Sequence, residues 1–132
     1  SWRQCWRYGI APSLTLTDLN VLRGALVADD PRLIQGATTA PPACNRSVRD
    51  WPVVAACALG FCGWQGAGLI TVGEVSEFVM RVCHEANTRL GRCHPAGCSD
   101  WLRFWDDTPR DEMRRELLTE VGLAIAEREC PA

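Results

Sequence analysis

An all-α fold is what this sequence predicts, on three observations. Apolar residues recur at helical spacing in two long stretches, Val75-Phe78-Val79-Val82-Ala86 and Met113-Leu117-Val121-Ala124-Ile125. Each stretch is announced by cap chemistry: Thr71 with Glu74, and Thr108-Pro109-Arg110-Asp111. No strand pattern competes, since Leu14 to Leu16 and Leu69-Ile70 are too short. The 132 residues suit one hydrophobic core. The expectation is a single compact domain, 1–132, of four main helices plus one short aromatic helix. An irregular arm over 1–16 precedes the helical body over 17–130.

Taken in order, the arm has no period, and Trp2, Trp6 and Tyr8 would pin it to the body. The first helix should begin at Thr17 as N-cap, with Asp18 in the first turn, where the dipole favours a negative charge. Leu19, Leu22 and Leu26 form its face, and Asp29-Asp30-Pro31 ends it. A long connection, Arg32 to Arg49, carries the breaker run Thr38-Thr39-Ala40-Pro41-Pro42.

Asp50 and Pro52 read as the start of a second helix. Val53 to Leu59 is apolar on every face, which suits a helix surrounded by others. Gly60, Gly63, Gly66 and Gly68 should dissolve it into a turn. The third helix, capped by Thr71, should run to Leu90 with Gly91 as its C-cap. A loop over Arg92 to Ser99, a short aromatic helix from Asp100 to Trp105, and the last helix from Thr108 complete the chain.

Composition excludes several chemistries. All fourteen basic residues are arginine, so no Schiff base, P-loop lysine or lysine general base operates here. A net charge of −2 offers nothing to attract nucleic acid or an anionic membrane. No apolar run approaches the ~20 residues that span a bilayer, and no signal peptide is visible. G-x-S-x-G, H-E-x-x-H and a G-x-G-x-x-G before a helix are all missing from the sequence.

The order Ile34-Gln35-Gly36, Cys57-Ala58-Leu59-Gly60 and Trp105-Asp106-Asp107-Thr108-Pro109 resembles an uncharacterised family of small bacterial proteins. Those proteins carry a Gln-Gly element, a Cys-x-x-Gly helix and a Trp-Asn-Asp stretch before the last helix. Cys-rich planctomycete proteins resemble the chain more closely around Ala56 to Gln65 and Asp106 to Leu117. The resemblance spans Leu33 to Ala126, and the chain departs from it at Asp106, where asparagine is usual. It implies the helical order and a bacterial, cytoplasmic origin, and no activity.

Eight cysteines in 132 residues fall below the roughly 8–10% that marks a disulfide scaffold. At least three should be reduced. Cys57 and Cys62, five residues apart on a helix at ~100° each, would point about 140° apart and cannot pair. Cys93 with Cys98 is the first candidate for a local pair or a metal half-site, and Cys5 with Cys130 for a long-range pair if the environment is oxidising.

Three functions compete. A zinc-bearing adaptor would use Cys83, Cys93, His94 and Cys98, against the commoner outcome that the loop cysteines pair or stay free. A cysteine-dependent hydrolase would use Cys57 as nucleophile, His84 or His94 as base and Asp106 or Asp107 as orienter, with Gln35 at an oxyanion hole. Apolar neighbours around Cys57 argue against it. A protein-interaction or regulatory module would present Trp64, Gln65, Trp101 and Trp105 to a protein partner, although such tryptophans more often plug a core. The expectation is the interaction module rather than an enzyme, with no required cofactor.

Overall fold

The computed structural model describes residues 1–44, 46–91 and 96–130, with the backbone alone for 96–98. It is all-α: α1 (Trp2–Cys5), α2 (Leu16–Ala28), α3 (Ala58–Phe61), α4 (Val72–Arg89), α5 (Ala96–Asp107) and α6 (Arg110–Glu129). Two residue pairs, β1 (Thr39–Ala40) and β2 (Ala55–Ala56), form a minimal antiparallel sheet. Among the described residues no helix is long and apolar enough to cross a membrane.

The arm expected to be irregular is helical. A π-helical turn (Trp6–Ile10) and a 3-10 turn (Ala11–Ser13) extend α1. Cys5, Trp6, Gly9 and Ile10 are buried at helical spacing, and Pro12 ends a segment too short for its period to show in the sequence. Gly9 permits a close approach to α4, since a Cβ there would sit 3.1 Å from the Ala86 Cβ. An aromatic column fastens this segment to α5: Trp2 stacks on Phe104 at 3.6 Å and Trp6 on Trp101 at 5.4 Å.

Helix α2 starts two residues earlier than expected. Thr15, not Thr17, is the cap: the Asp18 N–H donates to its hydroxyl oxygen, and the Thr15 N–H donates to the Asp18 carboxylate. Asp18 stands three residues after Thr15, the spacing of a capping box, so Thr15 wins over Thr17. Asp29 closes the helix in the left-handed region at φ 50°.

The expected second helix is mostly extended chain. Val53 donates to the Ile70 carbonyl, Val54 to Ala40 and Ala56 to Arg32. Pro52 lies in an antiparallel bridge with Thr71 rather than at a helix start. A short run that is apolar at every position suits a central strand and a buried helix alike. The two β-branched valines and Pro52 settle it towards extended structure. The helix begins only at Ala58, with Cys57 as its N-cap. Gly60, Gly63 and Gly66 lie within the helical turns of α3 and its π-helical extension (Cys62–Gly66) instead of ending them. At Gly63 a Cβ would meet the Phe78 ring at 2.8 Å.

Helix α4 matches its sequence signals. Thr71 and Glu74 form the capping box, Val75, Phe78, Val79, Val82 and Ala86 are buried, and Gly91 follows at φ 67°. Val75 joins a small cluster with Val53, Ala56 and Val72. Phe78, Val79 and Val82 belong to the main core with Ala58, Leu59, Leu117 and Val121. Helix α5 is longer than the expected 100–105.

Thr108 does not cap α6. Pro109 holds the cap position and no side-chain cap bond forms. Thr108 still belongs to the end of α5, its N–H donating to the Phe104 carbonyl. In α6, Met113, Leu117, Val121 and Ile125 are buried, and Ala124 is half-buried.

Arginines tie the elements together through backbone carbonyls. Arg114 donates to Leu26 and Val27, Arg110 to Asp30, Arg89 to Gly9 and Arg128 to Ala11. Arg7 grips the buried Glu120 with two hydrogen bonds of 2.6 and 2.8 Å, joining the N-terminal segment to α6.

Candidate functional site

The three motif segments singled out in the sequence meet at one place. Gln35 Nε2 donates to the Trp105 and Thr108 carbonyls, both at 2.8 Å. The Gly36 N–H donates to Asp106 Oδ1 at 2.9 Å, and the Trp105 indole to the Ile34 carbonyl at 3.0 Å. The Ile34 N–H reaches the Ala56 carbonyl, one residue before Cys57. Four hydrogen bonds thus hold residues 34–36 against the α5–α6 corner. The amide of Gln35 is spent on two carbonyls, which places it in a clasp rather than an oxyanion hole.

Cys57 does not have the setting of a nucleophile. It stands at the N-cap of α3, its Sγ accepting from the Gly60 N–H at 3.4 Å. Such a position favours a thiolate. Burial wins: it pushes the Cys57 thiol up to about 11, against the lowering by helix N–H groups and with a further raising by Asp106. Burial also raises Cys62 strongly, with Asp18 and Cys57 adding to it. His84 is exposed on α4. Among the described residues Asp106 is the only charged partner of Cys57, so Cys57, His84 and Asp106 are not assembled as a triad.

The zinc set Cys83, Cys93, His94 and Cys98 lies largely outside the described residues, which include the side chain of Cys83 alone. Among the described residues no group of three or more His, Cys, Asp or Glu side chains could hold a metal. Cys44, Cys57, Cys62 and Cys130 are free thiols. The Cys5–Cys130 pair, expected under oxidising conditions, is not present: Cys5 is buried in the core, whereas Cys130 is exposed beyond the end of α6.

Trp101 and Trp105 are each 1% exposed, so they cannot reach a partner. They fill the core as stacked neighbours, 6.1 Å apart. Trp64 is half-buried, edge-on to Phe61 at 5.9 Å and beneath the Arg32 guanidinium at 5.3 Å. Gln65 beside it is exposed.

The exposed tryptophan is Trp51, one that sequence reasoning missed. It is 55% exposed, and the nearby Val54 and Ile70 are 60% and 64% exposed. The Pro52–Thr71 bridge brings the two segments together, with Val53 donating to Ile70 and Val72 to Trp51, both at 2.9 Å. Val53 and Val72 turn into the small apolar cluster and anchor the bridge. Trp51 directly precedes a proline, which disfavours helix and extends the chain. That signal was present in the sequence and contradicts a helix start at Asp50. No family model, curated protein or solved structure matches the chain.

Proposed function

We propose that this chain is a protein-interaction or regulatory module rather than an enzyme, with the surface of Trp51, Val54 and Ile70 as its anchor. The observation that carries this reading is Trp51, the only one of six tryptophans that is mostly exposed. An exposed tryptophan on a backbone pinned by a small core is an anchor of the kind that dominates interface hot spots, and the bridged segments expose two further apolar residues. Three side chains supply only part of the ~800 Å² that each partner of a standard interface buries. The reading is therefore of a transient contact. A thiol enzyme is disfavoured by the same structure, because its nucleophile is buried and held protonated.

The bacterial family and cytoplasmic setting implied by the motifs go with this proposal. What supports the resemblance itself is that the Gln-Gly and Trp-Asp-Asp segments are hydrogen-bonded to each other and the Cys-x-x-Gly segment adjoins them.

A photo-crosslinker at Val54 tests the surface. The captured protein is identified, and its affinity is measured for wild type, Trp51→Ala and Val27→Ser, an exposed control on α2. Trp51→Ala should weaken binding by about 30-fold, the effect of a hot-spot truncation, with Val27→Ser unchanged. Equal affinity for wild type and Trp51→Ala overturns the reading.

A further inference from the structure

Helix α4 begins with part of its usual closure left unmade. Where a Thr-x-x-Glu box starts a helix, the apolar residue before the cap commonly packs on the fourth helical residue as a staple. In α4 those two residues are Ile70 and Val75. Val75 is fully buried with Val53, Ala56 and Val72, and Leu69 packs against that cluster. Ile70 stays 64% exposed. An apolar side chain with a small core at hand is thus kept in water.

The backbone of Ile70 shows what keeps it there. Glu74 Oε1 accepts from the Thr71 N–H and the Thr71 hydroxyl, both at 3.1 Å, and from the Ile70 N–H at 3.3 Å. The box itself needs only the Thr71 N–H, so the bond to Ile70 is additional. Three donors on one oxygen suit an anion. They hold the Glu74 carboxyl below its usual range, the Thr71 N–H contributing most. From Ile70 the hydrogen bonds run on to the tryptophan. The Val53 N–H donates to the Ile70 carbonyl, and the Val72 N–H to the Trp51 carbonyl. The Pro52–Thr71 bridge lies between these two bonds.

We infer that Glu74 is a positioning residue of the Trp51 surface: its carboxylate fixes the Ile70 backbone so that the side chain is offered to a partner instead of stapling α4. The inference rests on the reading of that surface as an interface. A partner that meets an already fixed Ile70 has less to order on binding.

The crosslink at Val54 decides the interface, and amide hydrogen exchange without any partner decides the positioning, so the two can fail separately. Exchange is followed by nuclear magnetic resonance on the whole chain, with the Val121 amide in the core of α6 as the reference for global opening. Glu74→Ala should speed exchange of the Val53 amide at least about tenfold relative to Val121, since one bond to a charged group is lost and the bridge opens locally. Glu74→Gln should fall between wild type and Glu74→Ala, because a neutral amide oxygen with two lone pairs serves three donors poorly. Thr71→Ala removes the side-chain cap but leaves the bond to Ile70, so it should disturb Val53 far less. Ile70→Ser should leave the urea midpoint essentially unchanged, because no staple is lost. A Val53 amide that does not respond to Glu74→Ala overturns the inference. So does a response to Thr71→Ala as large as that to Glu74→Ala, which is fraying of α4, or a fall in the midpoint of Ile70→Ser.

Discussion

Replacing Gln35 separates a structural clasp from a catalytic amide. Gln35→Ala removes two hydrogen bonds to the Trp105 and Thr108 carbonyls. At ~0.5–1.5 kcal/mol per bond the loss is about 1–3 kcal/mol. Water can reach the half-buried site and rehydrate the carbonyls, which favours the lower part of that range. Gln35→Glu is the sharper change. It keeps the shape but sets a carboxylate against two carbonyl oxygens. That group binds its proton more tightly in the folded state than in the unfolded chain. In the folded state its protonated form, which can donate, predominates below a value raised above the unfolded one of about 4.3. Gln35→Glu should therefore be less stable than Gln35→Ala at pH 7 and recover towards wild type as the pH falls through that raised value, the recovery being complete below about 4.3. Urea unfolding followed by far-ultraviolet circular dichroism measures both. A loss of 2 kcal/mol moves the midpoint by about 1 M for a chain of this size. If Gln35→Ala stays within 0.5 kcal/mol of wild type, or Gln35→Glu equals wild type at pH 7, the clasp does not hold the corner.

Other expectations follow from the same geometry. Arg7 holds the Glu120 carboxyl below the usual range against the opposing effect of burial, so this pair stabilises the fold above the unfolded value of about 4.3 and the contribution is lost as pH falls through the lower folded value. Glu120→Gln should cost about 1–3 kcal/mol at pH 7 and flatten the acid limb of a stability-versus-pH curve; an unchanged limb refutes the linkage. Thr15→Ala and Thr71→Ala should each lose about 0.5–2 kcal/mol in thermal unfolding, and Thr108→Ala much less, so equal losses at all three would restore Thr108 as a cap. Alkylation followed by mass spectrometry should label Cys44 and Cys130 in the folded protein and Cys57 and Cys62 only after unfolding; rapid labelling of Cys57 would revive the thiol enzyme.

Legibility in the sequence followed the length of each pattern. Helix α4 spans five turns, so its stripe and Thr71–Glu74 box leave one interpretation. The N-terminal segment has the same physics in a dozen residues broken by Gly9 and Pro12, and its period is hidden. Val53 to Leu59 failed for another reason: a run apolar at every position erases the contrast by which strand and helix are told apart, and the exposure of Val54 does not show in it. The valines and Pro52 lean towards extended chain, and the distant partners of its backbone, Ala40, Arg32 and Ile70, fix it there. The candidate site failed in the same way. Gln35, Asp106, Trp101 and Trp105 were singled out for their chemistry, and the fold uses all four for cohesion. Trp51 drew no notice, although its exposure is what makes it available. Residue type announces a capability, and tertiary contacts decide whether it is already spent.

The arginine ties have a consequence for alkaline solution. A guanidinium keeps its charge beyond pH 12, so the links from Arg89, Arg110, Arg114 and Arg128 to backbone carbonyls persist where lysine ammonium groups would be losing theirs. The alkaline limit of the fold then passes to the interior sulfur. A thiol whose folded pKa is raised keeps its full stabilising share below the unfolded value and loses it as the pH climbs through the folded one. For Cys57 that upper value is about 11. Base would thus open this protein from the sealed junction between α3 and the strand before it, while the helix ends, wired by arginine, are still fastened.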